Sequence, residues 1–265
     1  MIERWKVFTK PAQHSRAQPI VAVENVSVIY NTTHALDNIS FHLEVGERVA
    51  VFKVIAGLLS PTRGKTHISG SDPSGHICIA YIPQRSLVDW AFPVNVSDVV
   101  MMGRIRNIGL LRHPRRSDYE VVREALQVVG MENLATRQIG ELSGGQQQRV
   151  FIARALAQEA ELMLLDEPLT GLDIRSQEDI MAILEALHGQ VTVMIATHDL
   201  SLAATSFDRL MLLNRRLLGF GTAQEVLTKE KLAAAYGGQM HVVPTQEGLV
   251  TFDDACCDGG HTHHD

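Results

Sequence analysis

Leu162-Met-Leu-Leu-Asp-Glu-Pro168 decides how the rest of the chain is read. Four apolar residues in a row, without polar alternation, predict a short strand covered on both faces, as in a parallel sheet. Asp166 and Glu167 then fall at the carboxyl end of that strand, where open α/β sheets place their ligand sites. One carboxylate there can hold Mg²⁺ through water, and the other can orient or deprotonate an attacking water. An Asp-Glu pair by itself also fits a plain solvated loop, so the neighbours decide. Upstream, Leu142-Ser-Gly-Gly-Gln-Gln-Gln-Arg149 exposes backbone N–H groups at two glycines and places Ser143 at the head of a helix, whose N-terminus attracts anions. Arg149-Val-Phe-Ile-Ala-Arg-Ala-Leu156 continues that helix amphipathically. Downstream come Gly171-Leu-Asp173 and, after another apolar run, Thr197-His198-Asp199.

Composition frames these motifs. The chain has 265 residues, and its apolar content of 45% is ordinary for a domain with a real core. A net charge of −6 offers no global basic field for nucleic acid. No apolar run approaches the roughly 18–20 residues that span a bilayer. Residues 1–18 mix Trp5, Lys6, Lys10 and Arg16 with no apolar segment of signal-peptide type, which predicts a loose arm and a cytosolic address. Three cysteines give no disulfide framework. Cys78, inside an apolar stretch, is most simply a small buried hydrophobe, and the adjacent Cys256 and Cys257 are poorly placed to pair with each other.

Along the chain, strand-like patterns occupy 20–23, 26–30, 35–43 and 49–52, with a turn at Asn31-Thr-Thr33. Further strands are expected at 65–69 and 77–82, separated by Gly70-Ser-Asp-Pro-Ser-Gly75. From about 95 to 158 the spacing turns helical, with Ser97 or Asn95 as the first N-cap and Ser117 to Val129 as one helix. Strands at 162–165 and 191–196 then alternate with helices at 173–187 and 200–204. The layout is an α/β core with an antiparallel β portion near the N-terminus and a helical insertion at about 90–158. Residues 238–265 read as a polar, irregular, flexible tail.

Taken in order and at their spacing, these motifs resemble the ATP-binding cassette family: signature at 142–146, Walker B at Asp166-Glu167, D-loop at Gly171-Leu-Asp173 and switch histidine at His198. The resemblance covers about residues 19–237. It implies an ABC-type P-loop NTPase fold, with a parallel-sheet core, an antiparallel β subdomain and a helical subdomain. It implies ATP and Mg²⁺ as ligands, Glu167 and His198 as catalytic residues, and Asp166 with Gln84 at the metal. Tyr30 matches the aromatic residue that stacks on adenine, and Gln84, in Tyr81-Ile-Pro-Gln84, matches the Q-loop glutamine. Ser143, Gly144, Gly145, Gln146 and Asp173 match the residues that face the nucleotide of a second subunit. Without that context Tyr30 would read as a sheet tyrosine and His198 as a structural histidine.

The stretch Val88-Asp-Trp-Ala-Phe-Pro-Val94, followed by Asp98-Val-Val-Met-Met-Gly-Arg104, is similar to cassettes of bacterial manganese, zinc and iron importers. That likeness implies a permease docked through Trp90, Phe92 and Pro93, a second ATPase subunit, indirectly a metal-binding protein, and a peripheral place on the inner face of the plasma membrane. Trp90 could equally pack the helical lobe.

One family element is missing. The pattern Gly-x-x-Gly-x-Gly-Lys-Ser/Thr should follow the strand Arg48-Val-Ala-Val-Phe52, but the chain continues Lys53-Val-Ile-Ala-Gly57. Against the family pattern about ten or eleven residues are gone, the phosphate loop and the start of its helix. Gly64-Lys65-Thr66 mimics the tail of the motif, but Leu59 stands where its first glycine belongs and Pro61 lies inside the would-be loop. His67-Ile-Ser-Gly70 then reads as strand and turn, so 64–66 is expected to enter a strand. Losing three charge-assisted hydrogen bonds of roughly 1.5–3 kcal/mol each would weaken ATP binding by roughly 5–9 kcal/mol, from micromolar to worse than millimolar. Little ATPase activity is therefore expected of the chain alone. The alternative is a non-catalytic partner that donates its signature to an intact subunit. In the tail, Cys256, Cys257, His261, His263 and His264 are soft and borderline metal ligands, but their spacing matches no closed zinc site.

Overall fold

The computed structural model describes residues 19–30, 33–52, 62–68, 79–109, 112–236, 240–245 and 248–253. The chain opens with an antiparallel sheet made of β1 (Val21–Tyr30), β2 (Thr33–Leu43) and β4 (Arg63–Ile68), in the order β2-β1-β4. The two runs 20–23 and 26–30 form one strand. A bulge at Asn25, whose φ is 49°, joins them. Gly64 faces that bulge: a Cβ there would sit 2.4 Å from the Asn25 carbonyl oxygen, and its φ of +88° is glycine territory. Lys65 and Thr66 pair with Glu24 and Val23, so the Gly-Lys-Thr run is strand, as expected.

The central sheet holds β3 (Arg48–Phe52), β5 (Ile79–Ile82), β6 (Leu162–Asp166), β7 (Thr192–Ala196), β8 (Arg209–Asn214) and β9 (Arg216–Gly221), in the order β5-β6-β7-β3-β8-β9. The first five in that order are mutually parallel, and β9 returns antiparallel. β3 shows why apolar runs without polar alternation build such a sheet. Val49 and Val51 pack toward the antiparallel sheet with Ile39, Leu43 and Met211, while Ala50 packs on the other face with Leu210 and Leu212. Each face of a central strand is core, so both phases of the period-two repeat are apolar.

Between β5 and β6 lie α1 (Val96–Met102), α2 (Ile105–Ile108), α3 (Arg116–Val128) and α4 (Gly144–Ala157). Asn95 caps α1 by accepting the Asp98 N–H at 2.9 Å. Val96, Val99 and Val100 pack with Val122 and Leu126 of α3 against α4, and α4 carries this lobe onto the sheet through Ile152 and Leu156 beside Met163 and Val193. Then follow α5 (Ile174–Ala186), α6 (Leu200–Ser206), α7 (Ala223–Val226) and α8 (Lys229–Tyr236). No helix among the described residues is long and apolar enough to cross a membrane.

One expectation needs correction. Within the stretch read as irregular, β10 (Met240–Thr245) and β11 (Gly248–Asp253) pair as an antiparallel hairpin. Pro244 pairs with Leu249 in this hairpin; alternate positions of a two-stranded ribbon face away from the ladder and tolerate a residue without an N–H. The helical piece expected at 53–59 and the His/Cys run at 256–264 lie outside the described residues.

Candidate nucleotide site

The site grows from the carboxyl ends of β6, β7 and β3, which stand side by side. Asp166 pairs with Ala196, and Ala196 pairs with Val51. Two backbone bonds extend the ladder past the strands: Glu167 N–H to the Ala196 carbonyl at 3.0 Å and Thr197 N–H to the Val51 carbonyl at 3.1 Å. The sheet therefore delivers Asp166, Glu167 and His198 to one edge, beside the exit of β3. The residues that follow β3, 53–61, lie outside the described residues.

Glu167 is the centre of the arrangement. Its carboxylate accepts hydrogen bonds from Gln84 Nε2 at 3.0 Å and Thr170 Oγ1 at 3.2 Å, and His198 Nδ1 stands 3.7 Å away. Its backbone has φ 43°, the left-handed region that a branched or long side chain enters only at a cost of about 1 kcal/mol. The twist turns its carboxylate away from the strand line of Asp166. Asp166 accepts a hydrogen bond from the Tyr81 hydroxyl at 3.2 Å. Burial, then the Asp166 charge and that hydrogen bond, push the Tyr81 phenol above its ordinary range, so it stays a donor. His198 is exposed, with 73% of its side chain open to solvent.

The signature turn is a separate structure one layer away. Ser143 caps α4 in a reciprocal box: its Oγ accepts the Gln146 N–H at 3.3 Å, and Gln146 Oε1 accepts the Ser143 N–H at 3.0 Å. Both glycines are needed for close approach. A Cβ at Gly145 would fall 2.4 Å from Ser176 Oγ, and one at Gly144 would fall 2.8 Å from Arg85 Nη1. Asp173 caps α5 through the Ser176 N–H at 2.9 Å and also accepts the Ser176 hydroxyl at 2.7 Å. Those bonds, the hydroxyl first, hold its carboxyl below the usual range.

Of the residues singled out from sequence, the structure gathers Gln84, Glu167 and His198 into one cluster with Asp166 beside it. Ser143–Gln146 and Asp173 form a neighbouring group through Ser176. Tyr30 ends β1 opposite Thr33. Trp90 is half-buried: its indole meets Phe151 edge-on at 5.4 Å and its Nε1–H bonds the Arg85 carbonyl at 3.0 Å, while Phe92 and Pro93 are exposed. Sequence reasoning missed Tyr81, Thr170, Arg85 and Ser176. The signal for Tyr81 was its place near the end of a strand adjoining β6.

The donor chemistry suits Mg²⁺, a hard cation that takes oxygen ligands: Asp166 offers a carboxylate, and Gln84 keeps its amide oxygen while its Nε2 serves Glu167. A strand-edge carboxylate pair, a glutamine reaching one of those carboxylates and a capped glycine turn nearby are the arrangement of a nucleotide-binding cassette. The family model described as ABC transporter matches residues 36–170. The manganese transport system ATP-binding protein MntB of Halalkalibacterium halodurans is 42% identical over 234 residues, covering 84% of this chain and 94% of that protein. The zinc transport system ATP-binding protein TroB of Treponema pallidum is 37% identical over 242 residues, covering 86% and 91%. Among solved structures, a metal-chelate type ABC transporter in an inward-facing conformation matches with a TM-score of 0.73 at 29% identity, covering 88% of this chain and 96% of that one. The chain belongs to the ABC transporter family, as an ATP-binding cassette with a parallel core sheet and an antiparallel β subdomain.

Proposed function

We propose that this chain is the ATP-binding subunit of an importer for divalent metal ions of the manganese, zinc and iron class, and that as it stands it grips ATP poorly. The observation that carries the first part is the cluster of Gln84 and His198 around Glu167 at the sheet edge, in a chain similar to metal-transport cassettes along most of its length. In this reading Glu167 takes the proton of the attacking water, and Gln84 and His198 orient that carboxylate and the phosphate end of ATP. Asp166 and Gln84 hold Mg²⁺, which supplies charge neutralisation on the phosphates when bound. Tyr30 is the residue assigned to the adenine ring by its match to the family aromatic. Ser143, Gly144, Gly145 and Gln146 meet the nucleotide of a second subunit, with Asp173 at the same seam.

The second part rests on the sequence after β3, which has no Gly-rich run ending in Lys-Ser/Thr. Alignment lengths support it. The alignment with MntB runs over 234 residues, while 84% of 265 is about 223, so about eleven positions face no residue of this chain. By the same reckoning the alignment with TroB leaves about fourteen (242 against about 228), so both relatives carry residues within the matched length that this chain does not.

Leu87, Phe92 and Pro93 are exposed apolar residues on which a permease segment would rest, while Trp90 packs on Phe151. A groove of about 310 Å³ lined by Asp98, Met101, Met102, Ile105 and Arg112 adjoins the same helical lobe. Through that permease the chain would sit on the cytoplasmic face of the membrane.

The intact cap at Ser143 favours a second reading, a non-catalytic cassette that lends its signature to an intact subunit. The test is ATPase assay of the full chain alone and mixed with an intact homologous cassette. Little turnover alone and Ser143-dependent stimulation in the mixture are expected. Brisk turnover by the chain alone would overturn the phosphate-grip deficit. A mixture that ignores Ser143 would remove the second reading.

A further inference from the structure

Arg85 follows Gln84 directly, and the two side chains part company. Gln84 reaches Glu167, whereas Arg85 donates from Nε to Gln147 Oε1 on α4 at 3.1 Å. Gln147 is buried, and its other end is used as well: Nε2 donates to the Ile139 carbonyl at 3.2 Å. Its amide thus has one orientation, with the oxygen turned to Arg85. Four residues along α4, on the same face, Phe151 takes the edge of Trp90, and the Trp90 indole N–H returns to the Arg85 carbonyl. The Arg85 guanidinium also lies over the Trp90 ring, 5.8 Å from its centroid. Four residues the other way along that face is Ser143. The guanidinium also lies beside Gly144, with Nη1 2.8 Å from where a Cβ would stand.

We propose that Arg85 is a positioning residue that clamps the segment after Gln84 onto the signature helix, so that the glutamine on Glu167 and the turn at Ser143–Gln146 move as one body. Two links to one helix face, at Gln147 and Phe151, resist both sliding and rotation, which a single contact cannot. A permease pressing near Phe92 would act on α4 through this clamp. The inference rests on the cassette reading proposed above, and its test has one arm that does not.

The first arm is hydrogen exchange on the full chain, wild type against Arg85→Ala and Gln147→Ala. Removing a charged donor from a buried acceptor is expected to speed exchange of the amides at 145–148 about tenfold while those of β1 and β2 stay unchanged. The second arm is turnover in the mixture with an intact cassette. Arg85→Ala is expected to lower kcat about tenfold with KM for ATP unchanged, and the double variant is expected to be no worse than either single one. Unchanged exchange at 145–148 overturns the clamp, whatever the mixture does. Multiplying kcat effects, or a change in KM alone, also overturn it. A silent wild-type mixture instead removes the signature-donor reading and leaves the exchange arm to decide the clamp.

Discussion

The two edges of the central sheet are built on opposite principles. At the amino edge Arg48 begins β3 with its side chain buried, and its charge is spent on neighbours: Nη1 on Glu185, Nη2 on Asp208 Oδ1 at 3.4 Å, and its backbone N–H on Asp208 Oδ2 at 2.8 Å. His188 approaches the same Asp208 at 3.3 Å, and Arg209 pairs with Glu47 at 3.5 Å. At the carboxyl edge, among the described residues, the acids outnumber the bases. Asp166 and Glu167 are served by neutral donors (a phenol, an amide and a hydroxyl), with one exposed histidine nearby. Charges that satisfy one another hold strands in register. Carboxylates that accept their hydrogen bonds, among the described residues, from a phenol, an amide and a hydroxyl remain available for a cation and a water.

The largest effect should come from adding the phosphate loop that the proposed function takes to be missing. Inserting the family pattern Gly-x-x-Gly-x-Gly-Lys-Ser/Thr and the start of its helix after Phe52 should tighten Mg-ATP binding by about 5–9 kcal/mol, read as Kd in a nucleotide titration. Micromolar binding by the chain as it stands would break the comparison, because the carboxyl edge would then already be complete.

Next comes Arg48→Ala. It strips the shared base from Asp208 and Glu185 and should lower stability by about 2–3 kcal/mol, seen as a lower urea midpoint with an unchanged slope. The figure sits low in the range for broken buried pairs because Glu185 is 63% exposed and stays hydrated. The same experiment on Glu167→Gly should go the other way. Relief of φ 43° offsets the lost bonds to Gln84 and Thr170, so stability should hold or rise by up to about 1 kcal/mol while catalysis in a loop-restored chain is lost. Equal losses at the two edges would mean that Glu167 is a structural residue like Arg48.

Legibility followed distance along the chain, at both edges alike. What the sequence announced was local: the strand before Asp166, Ser143 at the head of its helix, the helix that begins near Asp173, Asn95 ahead of α1, the strand after Gly64. Each depends on residues within a turn or a strand of one another. What it hid depends on strand order. β5 lies beside β6, which brings Tyr81 to Asp166 and Gln84 to Glu167 across 85 and 83 residues of chain. β3 inserts between β7 and β8, which brings Arg48 to Asp208 across 160 residues. No periodicity encodes those neighbours. The positive φ of Glu167 was equally silent, because glutamate is not a residue that advertises it.

The smallest effect probes the carboxyl edge alone. Tyr81 is pushed above its ordinary value near 10.0 by burial first and by Asp166 second. In the folded chain the phenol therefore keeps its proton where an unfolded tyrosine has lost it. A raised folded value gives a contribution that is fully present below the unfolded value and fades as pH climbs through the folded one. Tyrosinate absorbance of the wild type should show a late-titrating group that Tyr81→Phe deletes. Asp166→Asn should bring the late group down only part of the way, since the charge goes but the burial stays. If Tyr81→Phe instead removes a group that titrates at about pH 10, the phenol does not face a carboxylate in a shielded place. Asp166 would then be as solvated as a surface acid, and the contrast between an edge that spends its charges and an edge that keeps them would lose its sharper half.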